Sequence, residues 1–176
     1  SDSNDAINYS SDSLPAGLSV DPSTGMISGT LTADASDDGP YAVTITGTDS
    51  QGEQATQTFV WTINNPSPNA ANDLAETAEN ASLAGNVISN VSGTEIDPDG
   101  DELTVASVNG QAFNVGTAVA GSTGGTFTID DDGDYSFDPG TDYDRLAAGE
   151  VAITEVTYTI TDGEHFDTAT VSVTVT

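Results

Sequence analysis

Valine and aromatic residues alternate with threonine along three stretches: Tyr41-Ala-Val-Thr-Ile-Thr-Gly47, Ala55-Thr-Gln-Thr-Phe-Val-Trp-Thr-Ile63 and Thr168-Ala-Thr-Val-Ser-Val-Thr-Val-Thr176. A period of two sends successive side chains to opposite faces of a strand, so each stretch has one face to bury and one to wet. No window carries the helical period. Turn signals punctuate the strands at Pro22-Ser-Thr-Gly25, Ser50-Gln-Gly52, Asp132-Gly133 and Asp162-Gly163. Many short strands with regular turns and no helices imply an all-β chain of antiparallel β-sandwiches. An internal repeat sets the number of units. Val43-Thr-Ile-Thr-Gly-Thr-Asp49 and Val156-Thr-Tyr-Thr-Ile-Thr-Asp162 share the pattern V-T-x-T-x-T-D, and each runs through a glycine turn into a strand carrying Ala-Thr. Two copies of one hairpin indicate two copies of one architecture. Between them lies Asn64-Asn-Pro-Ser-Pro-Asn-Ala-Ala-Asn72, whose prolines bar ladder pairing and stiffen the connection. The boundary is placed near Pro66, giving units 1–65 and 66–176.

Charge narrows the function classes. Twenty-nine acids face one arginine, Arg145, and no lysine, for a formal net charge of −28 over 176 residues. Nucleic acid and anionic membrane need the basic residues this chain lacks. No stretch reaches the roughly 18 apolar residues of a membrane span. Apolar residues make up 35%, in alternating runs, so the charge does not signal disorder. With no cysteine, stability must come from core packing or from metal, a pattern that suits a bacterial surface protein better than a small disulfide-rich secreted domain.

Longer motifs resemble known families. Leu14-Pro-Ala-Gly-Leu-Ser-Val-Asp-Pro-Ser-Thr-Gly-Met-Ile-Ser-Gly-Thr30 is similar to the signature of bacterial cadherin-like, dystroglycan-type Ig domains. Ile96-Asp-Pro-Asp-Gly-Asp-Glu-Leu103, Gly125-Thr-Phe-Thr-Ile129, Leu146-Ala-Ala-Gly-Glu150 and Val156-Thr-Tyr-Thr-Ile-Thr-Asp-Gly163 resemble a VCBS-type cadherin-like repeat. The resemblance implies tandem Ig/cadherin-like sandwiches from large RTX-type surface adhesins, outside the cell, with neighbouring domains of the same polypeptide as partners. Against that family the first unit is expected to lack its N-terminal strands, leaving strand edges open.

The acids gather most densely at Asp97-Pro-Asp-Gly-Asp101. Alternate carboxylates on a tight turn aim oxygens at one spot, which suits the six to eight oxygens of Ca²⁺. The loop is not an EF-hand: Glu102 stands where a glycine is required and Val108 where a glutamate is. Ig topology and the cadherin resemblance imply that Asp97, Asp99 and Asp101 share an ion with Asp162 and with Asn72 and Asp73 of the linker. Asp34, Asp37 and Asp38 are expected at the same junction from the first unit. Two weaker half-sites are expected, one from Asp2, Asp5 and Asp49, the other from Glu79, Asp142, Asp144 and Glu150. Ile129-Asp-Asp-Asp-Gly-Asp134 is read instead as a hairpin turn between Phe127/Ile129 and Tyr135/Phe137.

Catalysis finds no support, for His165 is a lone turn histidine and no nucleophile elbow is present. The expected function is a calcium-stiffened spacer in a bacterial adhesin serving adhesion or biofilm formation, acting as a monomer. The alternative is a glycan- or protein-binding module on the same fold, for which Tyr9, Tyr41 and Tyr143 are the aromatic candidates, Trp61 being assigned to the core.

Overall fold

Both V-T-x-T-x-T-D words lie at the ends of long strands and turn into the following strand through the same device. In the computed structural model, which describes residues 6–36, 38–89 and 95–176, Oδ1 of Asp49 accepts backbone N–H bonds from Gln51 and Glu53, each at 2.9 Å. Oδ1 of Asp162 does the same for Glu164 at 2.8 Å and His165 at 2.6 Å. An aspartate bonding its own downstream backbone closes a turn without help from elsewhere. The chain separates into two compact units, Ser1–Asn65 and Pro66–Thr176.

The first unit contains β1 (Asn8–Asp12), β2 (Leu18–Val20), β3 (Ile27–Gly29), β4 (Tyr41–Thr48) and β5 (Gln54–Trp61). β1, β4 and β5 form an antiparallel sheet in that order, and β2 pairs with β3 as a separate ribbon. The β2–β3 turn is held by Asp21, whose Oδ1 accepts from the N–H groups of Ser23 and Thr24 and from the Thr24 hydroxyl. The backbone bonds from Thr24 and Ser23, then that hydroxyl, hold the Asp21 carboxyl below the usual carboxylate range. Little is fully buried: Val43, Ala35 and Pro15 among the described residues of this unit. Every residue of β5 is exposed except Trp61, which is half-buried and packs 6.2 Å from the Phe59 ring. The expectation that Trp61 is core is corrected on that point, because β5 is an edge strand and, among the described residues, no strand pairs beyond it to close over the ring.

The second unit is a sandwich of two four-stranded sheets. Its strands are β6 (Asp73–Thr77), β7 (Leu83–Asn86), β8 (Thr104–Val108), β9 (Val119–Ala120), β10 (Thr126–Ile129), β11 (Asp134–Asp138), β12 (Ala152–Thr161) and β13 (Phe166–Val175). One sheet runs β7-β11-β10-β9 and the other β6-β13-β12-β8. Alternation places Phe127, Ile129, Phe137, Tyr158, Ile160 and Val171 inside, each with no exposure. Such burial contributes roughly 1.5–3 kcal/mol per large apolar side chain. Phe127 and Phe137 pack tilted with centroids 4.6 Å apart, and Tyr143 lies 6.5 Å from Phe137. Gly85 is required where β7 meets β11, since a Cβ there would stand 2.7 Å from the Tyr135 ring. Thr126–Ile129 and Asp134–Asp138 pair across the Asp132-Gly133 turn, with Phe127 opposite Phe137 and Ile129 opposite Tyr135.

One ladder departs from the antiparallel expectation. β6 runs parallel to β13, with Asp73 opposite Val171 and Thr77 opposite Val175. The linker fixes this direction. Ala70 N–H donates to Asp167 Oδ2 at 2.8 Å and Thr170 N–H donates to Asn72 Oδ1 at 3.0 Å, so the chain arrives beside the start of β13 and follows it.

Candidate metal centre

The loop leading into β8 is wrapped around one carboxylate. Asp97 Oδ1 accepts backbone N–H bonds from Asp99 (3.1 Å), Gly100 (3.0 Å) and Asp101 (3.1 Å). Gly100, at φ +94°, supplies the left-handed step that the wrap requires. This turns the loop's acids toward one another: one oxygen each of Asp97, Asp99 and Asp101 lies within 4.8 Å of the other two. All three residues are half-buried. Asp97 Oδ2 and Asp99 Oδ1 are buried and make no hydrogen bond.

Such a grouping is costly without a positive charge. Two carboxylates about 5 Å apart repel by about 3 kcal/mol at an effective dielectric of about 20. The titration follows. Burial, the Asp97 carboxyl, and the charges of Asp101 and Asp97 push the Asp99 carboxyl up to about 6. For Asp97 burial acts upward, yet the Asp99 carboxyl and the three loop N–H groups outweigh it and hold this acid below its ordinary value. Without a cation Asp99 thus holds its proton up to about pH 6. Buried, partnerless carboxylate oxygens in a group of this span fit a hard oxygen-seeking cation.

The other predicted ligands have surroundings of their own. Asp162 has a fully buried side chain; its Oδ1 closes the β12–β13 turn, while Oδ2 makes no hydrogen bond and stands 3.7 Å from Nδ1 of His165. Asp73, at 2% exposure, opens β6 and meets the Tyr158 hydroxyl at 2.9 Å. Asn72 has its side-chain oxygen on the Thr170 N–H. Asp34 sits in a short 3-10 turn, Ala33–Ala35, and both Asp34 and Asp38 are exposed, whereas Asp37 lies outside the described residues. Of the expected half-sites, Asp2 and Asp5 lie outside the described residues and Asp49 closes its turn. Asp142 Oδ2 accepts from Gly125 N–H, Glu150 Oε2 from Ala147 N–H, Glu79 Oε1 from the Asn80 amide, and Asp144 is exposed.

Sequence reasoning missed Glu95, which is 5% exposed and places Oε1 2.5 Å from the same Tyr158 hydroxyl. Its signal was the even spacing of acids at 95, 97, 99 and 101. Burial, then the bonds to Glu95 and Asp73 and their charges, raise the Tyr158 hydroxyl far above its ordinary value. The aromatic candidates for glycan contact also move. Tyr143 is a core residue at 4% exposure, and the half-buried Tyr41 donates to the Ala35 carbonyl at 2.7 Å. Among the described residues the exposed aromatics are Phe113, Phe166 and, less so, Phe59.

The chain belongs to the bacterial cadherin-like domain family, whose model matches residues 64–176; the model described as Putative Ig domain matches residues 1–64, so the two stand in tandem. Cadherin-like domains generally bind calcium and are typically extracellular, and domains of both families are typically non-catalytic. Among the described residues no helix is long and apolar enough to cross a membrane. No curated protein matches the chain. Among solved structures it is similar to mouse cadherin-23 EC22-24 (20% identity, 97% of this chain and 52% of that one, TM-score 0.35). It is similar also to human mucin-like protocadherin EC1-2 (15% identity, 97% and 84%, TM-score 0.41). An endo-fucoidan hydrolase of glycoside hydrolase family 107 shares 16% identity over 98% of this chain, at TM-score 0.36. The chain spans about a quarter of the hydrolase, by its 24% coverage, and about half of the cadherin-23 fragment.

Proposed function

We propose that this chain is a pair of calcium-stiffened extender units from a bacterial surface adhesin of the RTX type, serving adhesion or biofilm formation outside the cell. The observation that carries the reading is the Asp97, Asp99 and Asp101 group, with buried oxygens of Asp97 and Asp99 that no protein donor satisfies. In a chain with one arginine and no lysine, a bound cation is the available counter-charge. Calcium would supply positive charge to three converging carboxylates and turn their repulsion into attraction. The residues themselves do the rest: Asp97 Oδ1 keeps the loop wrapped while Oδ2 stays buried without a hydrogen bond, and Gly100 permits the turn. A loop locked in this way resists bending and unfolding, which is what a spacer needs. Extracellular calcium modules bind at ~10⁻⁴ to 10⁻³ M, so such a loop fills outside a cell and empties in cytosol. The partners under this reading are neighbouring domains of the same polypeptide.

Small-angle scattering and thermal melting, each with calcium and with chelator, test the proposal. The expected result is a more extended profile and a higher melting point with calcium. Identical profiles and melting points in both conditions would overturn it.

A further inference from the structure

The outer face of the β7-β11-β10 sheet holds a concavity of about 560 Å³, within the size range of ligand sites. Strand register produces it. Tyr135 and Phe137 point into the core, so Asp134 and Ser136 point out. Ser136 stands opposite Ala84 on β7 and opposite Thr128 on β10. These three small side chains make a low floor across the strands. The next outward row, about 7 Å along the strands, is Asn86, Asp134 and Asp130. Asp134 is opposite Asn86, and the Asp130 N–H donates to the Asp134 carbonyl at 2.8 Å. This row is a taller, acidic wall, and all six residues line the concavity.

The wall is braced from within the protein. Asn86 Nδ2 donates to Asp134 Oδ1 at 2.8 Å and to the Asp132 carbonyl at 3.0 Å, while Asn86 Oδ1 accepts from the N–H groups of Ile88 and Ser89, each at 2.8 Å. Asn86 is thereby spent on holding the Asp134 carboxylate in place. Among the described residues, nothing engages Asp134 Oδ2, the Asp130 carboxylate or the hydroxyls of Thr128 and Ser136. Carboxylates only accept hydrogen bonds, and hydroxyls both accept and donate. A matching ligand therefore brings hydroxyls for the floor and a positive charge for two neighbouring carboxylates. An acidic sugar would be repelled, since the lining holds no basic residue. The chain's charge of −28 draws cations toward this face and turns anions away.

We propose that this trough binds an amine-bearing saccharide, a hexosamine whose ammonium group lies against Asp130 and Asp134 while its ring hydroxyls meet Thr128 and Ser136. The ammonium–carboxylate contacts are charge-assisted and carry most of the affinity; the floor hydroxyls set the orientation. The site is built on three strands of the second unit and uses no residue of the aspartate loop. It goes beyond the extender reading by giving this unit a ligand of its own.

Amide shifts of the intact chain, with calcium present, are followed by NMR during titration with a glucosamine trisaccharide at a pH that keeps its amines protonated. Saturable shifts centred on Thr128, Asp134 and Ser136 are expected. The N-acetylated trisaccharide, which has lost the charge, is expected to bind about tenfold more weakly, and Asp134→Asn to weaken the amine form by about as much. Thr128→Val combined with Ser136→Ala keeps every charge and is expected to weaken binding about fivefold. Melting curves confirm the fold of each variant. Undiminished binding in that double variant, or shifts spread over the acidic surface, would mean diffuse charge attraction only and would overturn the proposal. Equal affinity for the acetylated sugar would also overturn it, because the wall would then read no charge. None of these outcomes bears on the extender reading, which fails on unchanged scattering and melting.

Discussion

The hairpins β4–β5 and β12–β13 are written in nearly the same words and end in the same aspartate turn, yet one is a core element and the other an edge. In β13, Ala169, Val171, Val173 and Val175 are buried, and β6 runs along the outer side. In β5 the residues from Gln54 to Val60 are all exposed, and no strand pairs beyond it among the described residues. The threonine ladders match as well: Thr44 and Thr58 hydroxyls meet at 2.9 Å, and those of Thr159 and Thr168 at 3.0 Å. Local sequence therefore determines the hairpin, while burial depends on what lies alongside and opposite. β13 belongs to a four-stranded sheet facing another; β5 belongs to a three-stranded sheet whose companion is a two-stranded ribbon.

The largest effect that separates the two units is in their aromatic packing. Phe137→Ala removes a fully buried ring lying against Phe127 and Tyr143 and is expected to cost about 3–5 kcal/mol of unfolding free energy. Phe59 is 38% exposed, and Phe59→Ala is expected to cost well under half as much, about 1 kcal/mol. Denaturant unfolding with separate probes for each unit measures both. Equal losses would mean that β5 is covered in solution and would erase the contrast.

Calcium is next in size. At a free concentration of 100 times the dissociation constant, one bound ion adds about 2.7 kcal/mol to the stability of the unit that holds it. The gain is expected in the second unit's transition, and Asp99→Asn is expected to abolish most of the part that arises at the aspartate loop. A calcium-dependent shift confined to the first unit's transition would contradict the assignment of the loop.

The pH dependence in chelator is smaller and has an unusual sign. The folded Asp99 titrates at about 6, above its ordinary 3.8, so between those values the folded chain binds a proton that the unfolded chain does not. Stability is therefore gained as pH falls through about 6, is fully present below 3.8, and is lost again as pH rises through about 6. The melting point in chelator is expected to rise from pH 7 to pH 5 and to lose that step in Asp99→Asn. With calcium present the direction reverses, since protons then compete with the ion. A step that persists in Asp99→Asn would assign it to the general relief of negative charge.

Much of the fold was legible because its signal is local. Period-two alternation located the long strands, and the Asp-Gly signals located the turns at 132–133 and 162–163. The parallel direction of β6 was not legible, since it depends on Asp167 and Asn72 meeting backbone groups nearly a hundred residues away. Trp61 was misread for a similar reason: alternation states which way a side chain points, not whether anything covers it. At the site, the Asp97-Pro-Asp-Gly-Asp101 spacing announced the loop. Glu95 stayed hidden because its partner, Tyr158, reads in sequence as an ordinary inward-facing strand residue.

The smallest effect tests the open edge. An exposed strand with unpaired N–H and C=O groups invites pairing with another chain, and proteins commonly blunt such edges with charge. β5 carries no charged residue in a chain with twenty-nine acids, and Val60 on it is 70% exposed. Val60→Lys places a charge on that edge without removing a buried contact, so its effect on stability is expected to stay within about 0.5 kcal/mol. Its effect on association is expected to be larger. Sedimentation at rising protein concentration should show self-association weakened by Val60→Lys and left unchanged by Ile153→Lys. Ile153 is also exposed, at 52%, but lies on β12, which has β13 on one side and β8 on the other. If Ile153→Lys suppressed association as strongly, charge alone would be responsible and the uncovered edge of β5 would have no special part in it.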